Sequence, residues 1–299
     1  MPERISFYDQ ISRNKRNSIF LMILVLAVLM ALGYIIGIVL GSAYFTIVMI
    51  LSIIISGVYI WAGYYYSDKI ALASVNAKPA DKIQHRQLLN SVESMSLASG
   101  LPMPRVYVMN NPQINAFATG RDPKNAVICV TTGALEKLDK RELEGVIAHE
   151  MGHVANLDIR FMTLIAVLVG MVAIISEIFL RSLWFKGDSD RDSKANLIFM
   201  LIGIALAILA PLVTSLIQLA VSRKREYTAD ATAVKFTRTP TGLVDALKKI
   251  NHEHTPANKH QINKAVAPLF ISDPFKSKIQ NLFSTHPPLE RRIEILQRM

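Results

Sequence analysis

Cysteine is nearly missing from this chain. Cys129 is the only one, so no disulfide framework can form within the molecule, and its place in the apolar run Ala126 to Val130 marks it as a small core residue. Charge is missing locally: Ser18 to Leu40 holds no charged side chain, and a run of that length can span a bilayer. It is too long for the apolar region of a signal peptide, and Gly41-Ser42 leads straight into a second apolar run, Ala43 to Tyr66, so an uncleaved membrane hairpin is expected. Acidic residues are in short supply, 23 against 33 basic ones, for a formal charge of +10. The basic residues flank apolar spans, where they set orientation and meet anionic lipid head groups, so nucleic acid is not expected as a partner. Internal repeats and low-complexity tracts are absent. What is abundant is apolar side chain, 51% with a positive mean hydropathy, which fits an integral membrane protein carrying one soluble domain.

The hairpin occupies about 18–40 and 43–66, with Tyr44 and Phe45 at one interface and Trp61, Tyr64, Tyr65 and Tyr66 at the other. A polar region follows, 67–160. It holds an expected helix from Lys82 to Ser99, stopped by Gly100, Pro102 and Pro104, and short strands at Arg105 to Met109 and Ala126 to Thr131, with a candidate edge strand at Ile114 to Ala118. Two more apolar stretches, 161–180 and 195–221, predict a second hairpin around a loop bearing Lys186, Asp188, Asp190, Arg191 and Asp192. Pro211 should bend the fourth helix. Glu177, four residues before Arg181, reads as half of an interfacial ion pair. The last segment, 222–299, is soluble in character, with helical patterns near Leu219 to Phe236, Thr241 to Ile250 and Pro288 to Arg298, and an expected loop at 255–277.

The chemistry is carried by His149-Glu150-Met151-Gly152-His153, an H-E-x-x-H motif. Asp139 and Glu142 have capping-box character, and Leu143, Val146, Ile147, Met151 and Val154 form an apolar stripe, so the motif lies on a helix. Four residues apart, His149 and His153 project from one face and can reach one metal ion, with zinc the natural guest for neutral imidazoles. Glu150 then stands where a general base is needed to take the proton of an attacking water. Lys140, Arg141, Glu142 and Glu144 before the motif, and Asn156, Asp158 and Arg160 after it, argue against a lipid-embedded helix. That disfavours an intramembrane site-2-type protease.

Two histidines leave a catalytic zinc one ligand short. The extended motif that supplies a third histidine is not met, because Asn156 and Ile159 stand where Gly and His are required. The best candidate lies in Arg225-Glu226-Tyr227-Thr228-Ala229-Asp230: Glu226 and Asp230 are four apart, so one can bind the metal while the other accepts the free N–H of a ligand histidine. His286, in Ser284-Thr285-His286-Pro287-Pro288, either stabilises charge on a carbonyl oxygen or is a turn residue before a helix.

On these motifs, together with Asn115-Ala116-Phe117-Ala118 and the two hairpins, almost the whole chain resembles the HtpX-type membrane zinc metalloproteases, related more distantly to the CAAX-prenyl endopeptidases. The resemblance implies one Zn²⁺ held by His149, His153 and Glu226, Asp230 as the partner behind a ligand, and Asn115, Ala116, Phe117 and Ala118 as the strand along which an extended peptide lies. It also implies an α-helical membrane protein, four transmembrane helices with a mixed α/β zincin-like protease domain assembled from 67–160 and 222–299. The expected activity is cleavage of proteins or peptides, misfolded or damaged membrane proteins above all, in quality control or a stress response. A non-enzymatic scaffold with a structural metal is the competing reading; it would normally close all four metal positions with protein ligands.

The zinc site also constrains topology. His153 precedes the third apolar stretch and Glu226 follows the fourth, so the chain must cross an even number of times between them. Arg13, Lys15 and Arg16 before the first span, and Arg223, Lys224 and Arg225 after the fourth, place the protease domain on the cytoplasmic face of the cell membrane. Arg181, Lys186, Arg191 and Lys194 in the opposite loop oppose this and are expected to be outweighed.

Overall fold

The computed structural model describes residues 7–40, 42–166, 203, 223–253, 269–271 and 287–299. The first two helices, α1 (Phe7–Leu40) and α2 (Ser42–Tyr65), form the hairpin. They run antiparallel, since Gly37 faces Phe45 and Gly33 faces Ser52; a Cβ at Gly33 would lie 1.9 Å from the Ser52 hydroxyl oxygen. Among the described residues these two helices alone are long and apolar enough to cross a membrane. Their large side chains, Ile19, Phe20, Ile47, Ile53 and Ile55 among them, are exposed, as lipid-facing residues should be. The helix begins eleven residues before the apolar run, so its polar start stands proud of the membrane segment. The expected second hairpin falls outside the described residues, except for Gly203 and for 161–166, which are helical and buried against the sheet core. Glu177 and Pro211 lie outside them too.

A short helix α3 (Ser67–Ser74) leads into a four-stranded sheet of order β1-β2-β4-β3, made of β1 (Lys78–Pro79), β2 (Arg105–Met109), β3 (Ala116–Thr119) and β4 (Val127–Thr131). Strand β2 is parallel to β4, and the outer two pairings are antiparallel. β4 is buried at every position, which is why it reads as a continuous Val-Ile-Cys-Val run instead of an alternating one. Helix α4 (Arg86–Ser99) starts later than its composition suggests: the Asp81 carboxylate accepts the N–H groups of Ile83 and Gln84 and holds a turn there. Gly100 ends it in the left-handed region, φ 69°.

Helices α5 (Thr132–Lys137) and α6 (Lys140–Ala155) follow, then α7 (Arg223–Thr237), α8 (Thr241–His252) and α9 (Leu289–Leu296). α6 is the axis of the domain. Asp139 and Glu142 cap it reciprocally, as the sequence pattern predicts. Its apolar stripe, Leu143, Val146, Ile147, Met151 and Val154, is buried with residues of α4, α7, α8, α9 and the sheet in one core.

The domain meets the hairpin where α2 ends. Arg121 donates to the Tyr65 carbonyl oxygen and lies 5.0 Å from the centre of its ring, Arg160 lies 5.8 Å from that of Tyr64, and Lys69 lies 4.8 Å from that of Tyr66. Cations therefore cover the aromatic girdle on its polar side.

Candidate metal centre

Helix α6 presents His149 and His153 one turn apart, their ring centres 4.8 Å from one another. Helix α7 crosses it closely because Gly152 has no side chain: a Cβ there would lie 3.0 Å from the Ala229 carbonyl oxygen. That approach carries Glu226 between the two rings. Its Oε2 is 3.6 Å from His149 Nε2 and its Oε1 is 3.6 Å from His153 Nε2. All three residues are buried, and one ligand atom from each lies within 4.8 Å of the others.

The far nitrogen of each ring is held by a carboxylate. His149 Nδ1 donates to Asp230 Oδ1 at 2.9 Å, and His153 Nδ1 donates to Asp158 Oδ2 at 3.0 Å. Once each ring is deprotonated, as a bound metal requires, these bonds keep the remaining proton on Nδ1 and leave the Nε2 lone pair facing Glu226, the arrangement found behind histidine ligands. Asp158 reaches back because the chain turns sharply after α6, with Leu157 in the left-handed region at φ 57°. A residue with a Cβ there costs about 1 to 2 kcal/mol.

Arg292 of α9, fully buried, grips Asp230 with two hydrogen bonds, Nε to Oδ2 at 2.9 Å and Nη2 to Oδ1 at 2.6 Å. Its Nη1 also lies 3.2 Å from Glu226 Oε2. Burial would raise the Asp230 carboxyl, but Arg292 and the His149 bond outweigh it and hold that carboxyl below its usual range. Burial and the Arg292 charge push the His149 imidazole down; its bonds to Asp230 and Glu226 outweigh both and hold it up at about 9. Glu150, one residue along α6 and also buried, goes the other way. Desolvation raises its carboxyl above the usual range, while the two imidazoles and the Ala118 N–H on β3 pull against it.

Four buried carboxyl groups, Glu150, Asp158, Glu226 and Asp230, surround the two histidines, and the Arg292 guanidinium lies against Glu226 and Asp230. A buried carboxylate whose two oxygens face two imidazole Nε2 atoms is a setting in which a cation would be well held. Two imidazole nitrogens and one carboxylate oxygen form the donor set that suits a zinc ion with an open position, and these residues fit it.

Other expected residues fall as follows. Asn115 precedes β3, where its side chain accepts the Ala116 N–H, and Ala116, Phe117 and Ala118 lie on β3, at the end of the sheet order and beside Glu150. That strand's outer side is not bare: Phe270 bridges to Phe117, and the Ile271 N–H donates to the Ala116 carbonyl oxygen. His286 lies outside the described residues. Cys129 is buried, and burial pushes its thiol far up, as a core residue requires. Arg292 was not anticipated. The signal was its helical phase, since Leu289, Ile293 and Leu296 mark the buried face of α9 and Arg292 shares it.

Comparison with known proteins bears on this site. The family model "Peptidase family M48" matches residues 82–299. A protease HtpX homolog of Caldanaerobacter subterraneus subsp. tengcongensis is 45% identical over 302 residues, spanning 98% of this chain and 97% of that protein. One from Thermoanaerobacter pseudethanolicus is 42% identical over 298 residues, 98% of each chain. Among solved structures, the crystal structure of S. mikatae Ste24p overlaps with a TM-score of 0.47 at 20% identity, covering 82% of this chain and 57% of that one.

Proposed function

The chain belongs to peptidase family M48 and is a membrane-associated metalloprotease; from that premise we propose that it is a zinc endopeptidase in which His149, His153 and Glu226 hold the metal and Glu150 is the general base. One observation carries the reading: the Nε2 atoms of both motif histidines face the two carboxylate oxygens of Glu226, each at 3.6 Å, with Glu150 buried beside them. A zinc ion bound there supplies Lewis acidity toward a scissile carbonyl and the attacking water.

The chain's own residues do the rest. Glu150, its carboxyl raised by burial, accepts the water's proton and returns it to the leaving amine. Asp230 and Asp158 keep His149 and His153 in the tautomer that presents Nε2. Arg292 anchors Asp230 and stands by Glu226, balancing their charge. An extended peptide pairing with β3 at Ala118, beyond the 270–271 segment that already occupies Ala116 and Phe117, would bring its carbonyl to this cluster through main-chain hydrogen bonds that any sequence can offer.

Resemblance to HtpX-type proteases extends this to misfolded or damaged membrane proteins as substrates, with the catalytic domain in the cytoplasm. The exposure of Lys140 and Arg141 at the start of α6 supports a domain in water, against an intramembrane site. The test is proteolysis of a casein-type substrate by the detergent-solubilised chain. Cleavage should stop with a chelator and return with zinc; cleavage that persists in chelator would overturn the zinc assignment.

A further inference from the structure

Helix α1 is longer than its membrane task. Its 34 residues extend about 51 Å at 1.5 Å per residue, against a hydrocarbon core of about 30 Å. The excess is the polar start, residues 7–17, and at Asn14 it bonds to the catalytic domain. On its inner face Asn14, Ser18 and Leu21 are buried. Asn14 Nδ2 donates to Asp158 Oδ1 at 2.6 Å and to the Asn156 carbonyl oxygen at 3.0 Å. The other oxygen of Asp158 accepts His153 Nδ1. A chain of hydrogen bonds thus runs from a membrane helix, through one carboxylate, to a motif histidine.

We propose that Asn14 is a positioning residue of the metal centre: the overhang of α1 fixes the orientation of Asp158, and Asp158 fixes His153. The inference rests on His153 being a metal ligand, as proposed above. The physical case is that Asp158 sits just past a turn strained at Leu157, so the covalent chain alone does not hold its carboxylate, and a buried carboxylate with both oxygens bonded has one orientation. Asn14 bonds the turn itself as well as the carboxylate. Asn14 touches neither substrate nor reacting atoms, so its effect belongs to metal affinity.

The experiment uses full-length protein in detergent, with zinc alone as the probe and its dissociation constant read by chelator competition. Asn14→Leu keeps the side-chain volume and removes the donor; Asn14→Ala removes both. Each should weaken zinc binding about tenfold, the low end of the range for groups standing behind a ligand. Across a zinc titration, turnover of both variants should fall in step with zinc occupancy, with the half-point displaced by the same factor as the dissociation constant. In an Asp158→Ala background, adding Asn14→Leu should cost nothing further, because the route to His153 is already cut. A dissociation constant within twofold of wild type for Asn14→Leu, with a lowered melting temperature of the zinc-free protein, would show a purely structural anchor and overturn the proposal. So would full additivity with Asp158→Ala. Unchanged affinity in His153→Ala overturns the ligand assignment itself, and the inference with it, whereas loss in His153→Ala and Asp158→Ala but not in Asn14→Leu overturns the inference alone.

Discussion

At the scale of the residue, the carboxylates around the histidines have separable tasks. Glu150→Gln removes a proton acceptor and no expected metal ligand, so zinc content should stay at wild type while turnover falls by at least about 100-fold, within the range usual for a lost general base; metal analysis and an activity assay on one preparation check both. Glu226→Ala should lose the metal and activity together. Asp230→Ala should retain a centre whose affinity is lower by about 10 to 100-fold, and full zinc occupancy of the Glu226 variant at limiting metal would assign the ligand elsewhere. The motif residues were legible because fixed chemistry imposes fixed spacing: His149, Glu150 and His153 fall on one turn of a helix whose cap is written in Asp139 and Glu142. Asn14 and Arg292 were not. Each is a polar residue within a charged or polar stretch, and only the helical phase it shares with Leu21 or with Leu289 and Leu296 hints that it points inward. Which partner such a side chain meets is decided by tertiary contacts that leave no local pattern.

At the scale of the element, α6 is held between neighbours that approach to backbone contact. A Cβ at Gly145 would lie 2.4 Å from the Leu243 nitrogen, and one at Gly242 would lie 2.3 Å from the Arg141 carbonyl oxygen. Backbone cannot yield as a flexible side chain can, so Gly145→Ala should push α8 away and cost about 1 to 3 kcal/mol, as overpacking does. Gly57→Ala in α2, where nothing lies within 4 Å, is the control. Thermal melts of both variants decide it: a lowered midpoint for Gly145→Ala alone is expected, and equal midpoints would contradict the close packing. Strand β2 was readable to the residue, since its Val and Tyr positions lie between Pro104 and Asn110. The start of α4 and the two-residue β1 were not, because the Asp81 turn and the pairing of Lys78 with Val108 depend on local capping and on a partner thirty residues away. Residues 269–271 looked like plain loop, yet pair with β3 for the same reason.

At the scale of the molecule, the site ties topology to chemistry. His153 and Glu226 share one cluster and α1 bonds to Asp158 beside it, so under the cytoplasmic placement proposed above all of these lie on the inner side of the membrane. A cysteine replacing exposed Lys248 should be protected from a membrane-impermeant thiol reagent in intact cells and react after lysis, whereas one at Asp188 should react from outside. The native Cys129 can stay, buried as it is. Labelling of the Lys248 position in intact cells would reverse the cytoplasmic placement.

The distribution of the cluster along the chain also sets a timetable for synthesis. Asn14, the two histidines and Asp158 are translated first, Glu226 and Asp230 only after both later apolar stretches, and Arg292 later still. A ribosome-bound chain halted before Glu226 holds two of the three proposed ligands and should not retain zinc tightly, so the newborn protease should be inert while it is threaded into the bilayer among unfinished neighbours. Radioactive zinc retained by chains arrested at residue 221, at the level of the finished protein, would refute that delay.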